Sequence, residues 1–102
     1  MSRFLKAVSL VDLPPGASTV VEIEGQEVAL FSQGGTVYAL DNMCPHAGGP
    51  LAEGTVEEGK VECPWHGAQF DLKTGASSSA LAPGGVPAYP VRVNGSDIEI
   101  EI

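Results

Sequence analysis

The sequence predicts an all-β domain. Three observations carry this: short runs rich in β-branched and apolar residues, turn-forming residues between them, and a C-terminal run of strict alternation. Of the 102 residues, 13 are Gly and 8 are Pro, a frequency that punctuates short strands rather than long helices. At the C-terminus Ile98, Ile100 and Ile102 alternate with Glu99 and Glu101, the period of two expected of a strand with one wet face.

Taken in order, residues 9–13 predict at most a short helical turn, ended by Pro14-Pro15 because proline cannot continue a helix. Residues 19–24 and 27–31 predict strands, with Gly25-Gln26 as the turn between them. A third strand over 36–40 follows the turn signal Ser32-Gln33-Gly34-Gly35. Short strands over 55–56 and 61–62 flank Glu57-Glu58-Gly59-Lys60, and Phe70-Asp71-Leu72 runs on to a turn at Thr74-Gly75. Residues 75–85 are small, polar and proline-containing, the composition of a surface loop. Strands over 89–93 and 97–102 flank Asn94-Gly95, a strong hairpin signal.

With 102 residues and no repeat or linker, a single domain over 1–102 is expected. The formal net charge is −8, from 13 acidic residues against 5 Lys and Arg. That excludes nucleic acid and anionic membranes as partners, since both reward clustered basic residues. No apolar run approaches the roughly 20 residues of a membrane span. The start, Met1-Ser2-Arg3-Phe4-Leu5-Lys6, is too short and too charged for a secretory signal, so a cytoplasmic location is expected. The acidic residues Glu53, Glu57, Glu58 and Glu62 form either a solvated face or one that steers a basic partner.

The centre of the chain carries the chemistry. The only two cysteines and the only two histidines lie in Cys44-Pro45-His46 and Cys63-Pro64-Trp65-His66. The hairpin over 55–62 folds the second segment back beside the first with little loop-closure entropy. Two inert thiols would not gather both histidines around them, so a metal site is expected on Cys44, His46, Cys63 and His66. Two readings of the metal stay open. One tetrahedral zinc is the first, though structural zinc sites usually pair Cys with Cys and His with His along the chain. Each loop here offers one of each, which suits a binuclear cluster with both cysteines on one iron and both histidines on the other.

Cys44-Pro45-His46-Ala47-Gly48-Gly49-Pro50-Leu51 and Cys63-Pro64-Trp65-His66-Gly67-Ala68-Gln69-Phe70-Asp71 resemble the two cluster loops of Rieske proteins. Gly54 and Thr74-Gly75 also stand where that pattern has glycine. The resemblance is specific over residues 42–75 and implies a small domain of stacked antiparallel sheets with a two-loop cluster-binding subdomain. It implies one 2Fe–2S cluster on the four named residues, and a proline-containing loop around Pro83 covering it from a third side. With neutral imidazoles, two ferric ions, two sulfides and two thiolates sum to no net charge. Four thiolates would add two negative charges, so histidine ligation raises the potential, to between about −150 and +300 mV.

Within that span, hydrogen bonds to the cluster sulfurs set the value. The high-potential respiratory members of the family carry a serine and a tyrosine as donors and an extra disulfide between the loops. The matching positions here are Ala68 and Phe70, and Gly49 and Trp65. The chain therefore resembles the low-potential ferredoxins of aromatic-ring-hydroxylating dioxygenase systems. That resemblance implies an electron carrier rather than an enzyme, passing single electrons from a flavin-dependent ferredoxin reductase to a terminal oxygenase. A G-x-G-x-x-G after a strand, the mark of a dinucleotide site, is absent. Two other functions remain: the small Rieske subunit of an assimilatory nitrite reductase, and a zinc-bound structural or iron–sulfur sensor module. Trp65 is read as docking surface or cluster shield, Pro45 and Pro64 as loop stiffeners, and Asp41 and Asp71 as turn residues.

Overall fold

Antiparallel strands in three sheets build the part of the chain that the computed structural model describes, residues 3–43, 50–64, 68–77 and 85–101. The first sheet places β1 (Phe4–Ser9) beside β10 (Asp97–Glu101) and then β9 (Val91–Asn94). The second runs β2 (Ser18–Ile23), β3 (Gln26–Gln33), β4 (Thr36–Asp41), β8 (Ala88–Tyr89). The third is β5 (Thr55–Glu57), β6 (Lys60–Glu62), β7 (Gln69–Asp71). Two single 3₁₀ turns, Leu10–Asp12 and Leu51–Glu53, interrupt them. The all-β reading holds, and no helix among the described residues is long and apolar enough to cross a membrane.

The second sheet is the middle layer, and β3 shows why. Its Val28-Ala29-Leu30-Phe31 run is fully buried. Successive side chains of a strand point to opposite faces, so an unbroken apolar run must be covered on both. Val28 and Leu30, with Ala39 of β4, pack against Ile98 and Ile100 of the first sheet. Ala29 and Phe31, with Leu40 of β4, pack against Val61, Phe70 and Leu72 of the third-sheet region. Each fully buried Val, Leu, Ile or Phe side chain among these contributes about 1.5–3 kcal/mol.

The structure departs from the sequence reading at β1, at four turns and at Pro90, where the strand expected over 89–93 divides into β8 of the second sheet and β9 of the first; two of the turns simply tighten to Gly34-Gly35 and Glu58-Gly59, because Gln33 pairs with Thr36 and Glu57 with Lys60. No strand was expected before residue 19, yet β1 pairs with β10. Its register shifts between Lys6 and Val8, leaving Ala7 as the extra residue of a bulge. Leu5, Ala7 and Val8 all pack against the same apolar cluster, so the bulge erases the alternation that would have marked the strand. The β2–β3 turn is Glu24-Gly25 rather than Gly25-Gln26, because Gln26 pairs with Ile23. The β9–β10 turn is Gly95-Ser96 rather than Asn94-Gly95, because Asn94 pairs with Asp97.

Candidate metal centre

Three chain reversals meet on one apolar cluster beneath the middle sheet. The first leaves β4 at Asp41. Its base is closed by an isolated bridge between Met43 and Pro50 and by Leu51 N donating to Asn42 O at 2.7 Å. Leu51 then turns inward and is fully buried. The second reversal leaves β6 and enters β7. Cys63 N donates to Ala68 O at 2.7 Å, closing it one step beyond the Val61–Phe70 and Glu62–Gln69 pairs. The third is closed by Gly75 N donating to Asp71 O at 2.7 Å and Val86 N donating to Gly75 O at 2.8 Å, beside a bridge between Phe70 and Ser77. Leu51, Cys63, Ala68 and Val86, one or two from each base, share a buried cluster with Phe31, Leu40, Val61, Phe70 and Leu72.

Of the four predicted ligands, Cys63 falls within the described residues; Cys44, His46 and His66 lie outside them, as do Trp65 and Pro83. Cys63 is 1% exposed and sits in that apolar floor. A thiolate there needs its charge cancelled. Two ferric ions, two sulfides, two thiolates and two neutral imidazoles cancel to zero, so a histidine-ligated 2Fe–2S cluster fits the surroundings of Cys63. Ala68 and Phe70 are both fully buried, so the positions that lack hydroxyls belong to the same packed floor. Gly54 binds the two stems together: its backbone lies so near β6 that an added Cβ would stand 2.2 Å from Glu62 O.

A polar group flanks the first stem, and the sequence did not reveal it. Asn42 is buried. Its side chain donates to Glu27 Oε1 at 3.1 Å and accepts from Ala52 N at 2.9 Å. Gln26 donates to the Tyr89 hydroxyl. Burial raises the Asp41 carboxyl above its ordinary value, opposed by bonds from Asn42 and Gln26 and reinforced by the charge of Glu27. Burial, with the charge of Asp41, raises the Tyr89 hydroxyl as well. Asp41 is thus the last residue of a strand facing this group, not the turn residue expected. Asp71 does act in a turn: its Oδ1 accepts from Lys73 N at 2.8 Å and Thr74 N at 3.0 Å. The one signal for the polar group was an Asn two residues after a predicted strand, which composition alone reads as loop.

The chain matches the family model of the Rieske [2Fe-2S] domain over residues 4–90. It is 34% identical over 100 residues to the ferredoxin component of a naphthalene 1,2-dioxygenase system of Pseudomonas aeruginosa, covering 98% of this chain and 96% of that one. Among solved structures, the ferredoxin of carbazole 1,9a-dioxygenase from Nocardioides aromaticivorans IC177 superposes with a TM-score of 0.89 at 35% identity, covering 95% of each chain. A complex of reduced oxygenase and oxidized ferredoxin in carbazole 1,9a-dioxygenase contains a chain that matches with a TM-score of 0.87 at 28% identity, over 95% of this chain and 91% of that one. A structure named as an NADH-dependent nitrite reductase small subunit, from Mycobacterium tuberculosis, matches with a TM-score of 0.90 at 27% identity, over all of this chain and 96% of that one.

Proposed function

Because this chain belongs to the Rieske [2Fe-2S] domain family, we propose that it is a ferredoxin, a one-electron carrier for a ring-hydroxylating oxygenase system. The observation that carries this is similarity along the whole length. A dioxygenase ferredoxin component matches 98% of the chain, and 96% of that relative is covered in return. The chain is read as one domain over 1–102. Its cluster is assigned to Cys44 and Cys63 on one iron and His46 and His66 on the other. When bound, the cluster takes up and returns a single electron.

The residues of the chain do the rest. The floor around Cys63 excludes water from one side of the site. Ala68 and Phe70 bring no hydroxyl to the cluster sulfurs, which supports a potential at the low end of the histidine-ligated range. Such a carrier accepts an electron from a flavin-dependent reductase and releases it to a terminal oxygenase by transient docking, within the cytoplasm. The complex of a related ferredoxin with its oxygenase supports the second half of that sequence.

Reconstitution tests the proposal. The purified protein is mixed with NADH, a flavin-dependent ferredoxin reductase and a terminal Rieske oxygenase, and product formation is followed. Product that requires this chain supports the reading; a chain that is reduced but never oxidised by any ring-hydroxylating oxygenase contradicts it. The full-length likeness to a nitrite reductase small subunit favours a second reading. Stable co-purification with a sirohaem-containing subunit would select it.

A further inference from the structure

Asn42 is one of two buried polar residues among those described, 4% exposed. Its bonding is not that of a local turn. Its partners lie 15 residues back, at Glu27, and 10 residues on, at Ala52. Four hydrogen bonds converge on it. The side-chain amide donates to Glu27 Oε1 at 3.1 Å, and the side-chain oxygen accepts from Ala52 N at 2.9 Å. The backbone N donates to Glu27 O at 3.1 Å, and the backbone O accepts from Leu51 N at 2.7 Å. One residue therefore ties the start of β3 to both ends of the first reversal.

We propose that Asn42, held by Glu27, is a positioning residue for the metal centre, fixing the Met43–Pro50 bridge that closes the segment carrying Cys44 and His46. The inference rests on the assignment of Cys44 and His46 as ligands. The chemistry favours Asn over its neighbours in size. Asn both donates and accepts, and each function has one partner here. Asp would keep the acceptor for Ala52 N but set a second carboxylate against Glu27. Ala would leave Ala52 N without its bond and the Glu27 carboxylate without its donor. A ligand set tolerates only small errors in position, so the groups that lock the backbone beneath it govern how firmly metal is held.

The experiment uses the holoprotein. Four variants are compared with the parent: Asn42→Ala, Glu27→Ala, Glu27→Gln and Gly95→Ala. Glu27 is exposed, so Glu27→Ala removes the bond with little risk to folding even if Asn42→Ala does not fold. Gly95→Ala is a stability control in the β9–β10 turn. The readouts are the EPR line shape of the reduced protein and the rate of iron release to a chelator. Glu27→Ala and Asn42→Ala are expected to broaden the EPR lines and release iron about tenfold faster, the value of one charge-assisted hydrogen bond. Glu27→Gln keeps an acceptor oxygen and is expected to stay within about twofold of the parent. Parent-like lines and release rates in Glu27→Ala overturn the proposal. So does Gly95→Ala releasing iron as fast as Glu27→Ala at equal loss of stability. A parent protein without histidine-ligated iron overturns the ligand assignment itself, and is recognised before any variant is made.

Discussion

Three glycines separate two costs that are usually confounded. At Gly95, φ is +65° and an added Cβ meets nothing within 4 Å. Gly95→Ala therefore costs only the left-handed backbone, about 1–2 kcal/mol, partly offset by about 0.4–1 kcal/mol of lost unfolded-state freedom. At Gly54, φ is −76°, which any residue adopts, but the Cβ would stand 2.2 Å from Glu62 O. Gly54→Ala costs only the displacement of β6, about 1–3 kcal/mol by analogy with overpacked cores. At Gly75 both apply: φ is +77° and the Cβ would stand 2.0 Å from Val86 O. The displaced segment also carries the Val86 N to Gly75 O bond, worth about 0.5–1.5 kcal/mol. Gly75→Ala is then expected to cost about 2–6 kcal/mol in total once the same unfolded-state offset is subtracted. In a domain of this size, about 4–8 °C of Tm corresponds to each kcal/mol. Far-UV circular dichroism at one scan rate, under anaerobic conditions, should rank the losses Gly95→Ala smallest and Gly75→Ala largest. Equal shifts at Gly95 and Gly75, or no shift at Gly54, would refute the reasoning.

Further outcomes follow from the same structure. Burial raises the Asp41 carboxyl above its ordinary 3.8, so its ionisation opposes folding. That penalty is complete above the raised folded-state value and vanishes as pH falls below 3.8. Asp41→Asn should therefore gain stability over the parent as pH rises through this window, measured by denaturant midpoints; a gain that grows on acidification would contradict it. Ala68→Ser places a hydroxyl in the floor around Cys63 and should raise the reduction potential in voltammetry, whereas an unchanged potential would remove the sulfur hydrogen-bond argument. The potential should fall as pH rises into the alkaline range, because adding an electron makes the outer nitrogen of a ligating histidine more basic. A flat potential there would refute histidine coupling.

Much of the fold was legible because its signals are local. The Val28–Phe31 run and the alternation of Ile98 and Ile100 state which strand is covered on both faces and which on one. β1 was not legible, since the bulge at Ala7 breaks the period that betrays a strand. Turns shifted by one residue because pairing across the sheet, not turn composition, fixes the register at Gln26 and Asn94. The candidate ligands were legible as the whole complement of Cys and His in two short motifs. The bonding of Asn42 was not, because its partners Glu27, Leu51 and Ala52 are distant in sequence and meet it only once β3 and the Leu51–Glu53 turn come together. Gly54 read as punctuation, yet its reason is the close approach of β6.

Electron carriage by this chain stands or falls on histidine-ligated iron. Pulsed EPR of the reduced protein, with chemical analysis of iron and acid-labile sulfide, tests it most directly. Two irons, two sulfides and two directly coordinated nitrogens per chain are expected, with the nitrogen signal lost together with the cluster in His66→Ala. Stoichiometric zinc without sulfide in anaerobically prepared protein, or a cluster without coordinated nitrogen, would contradict the account.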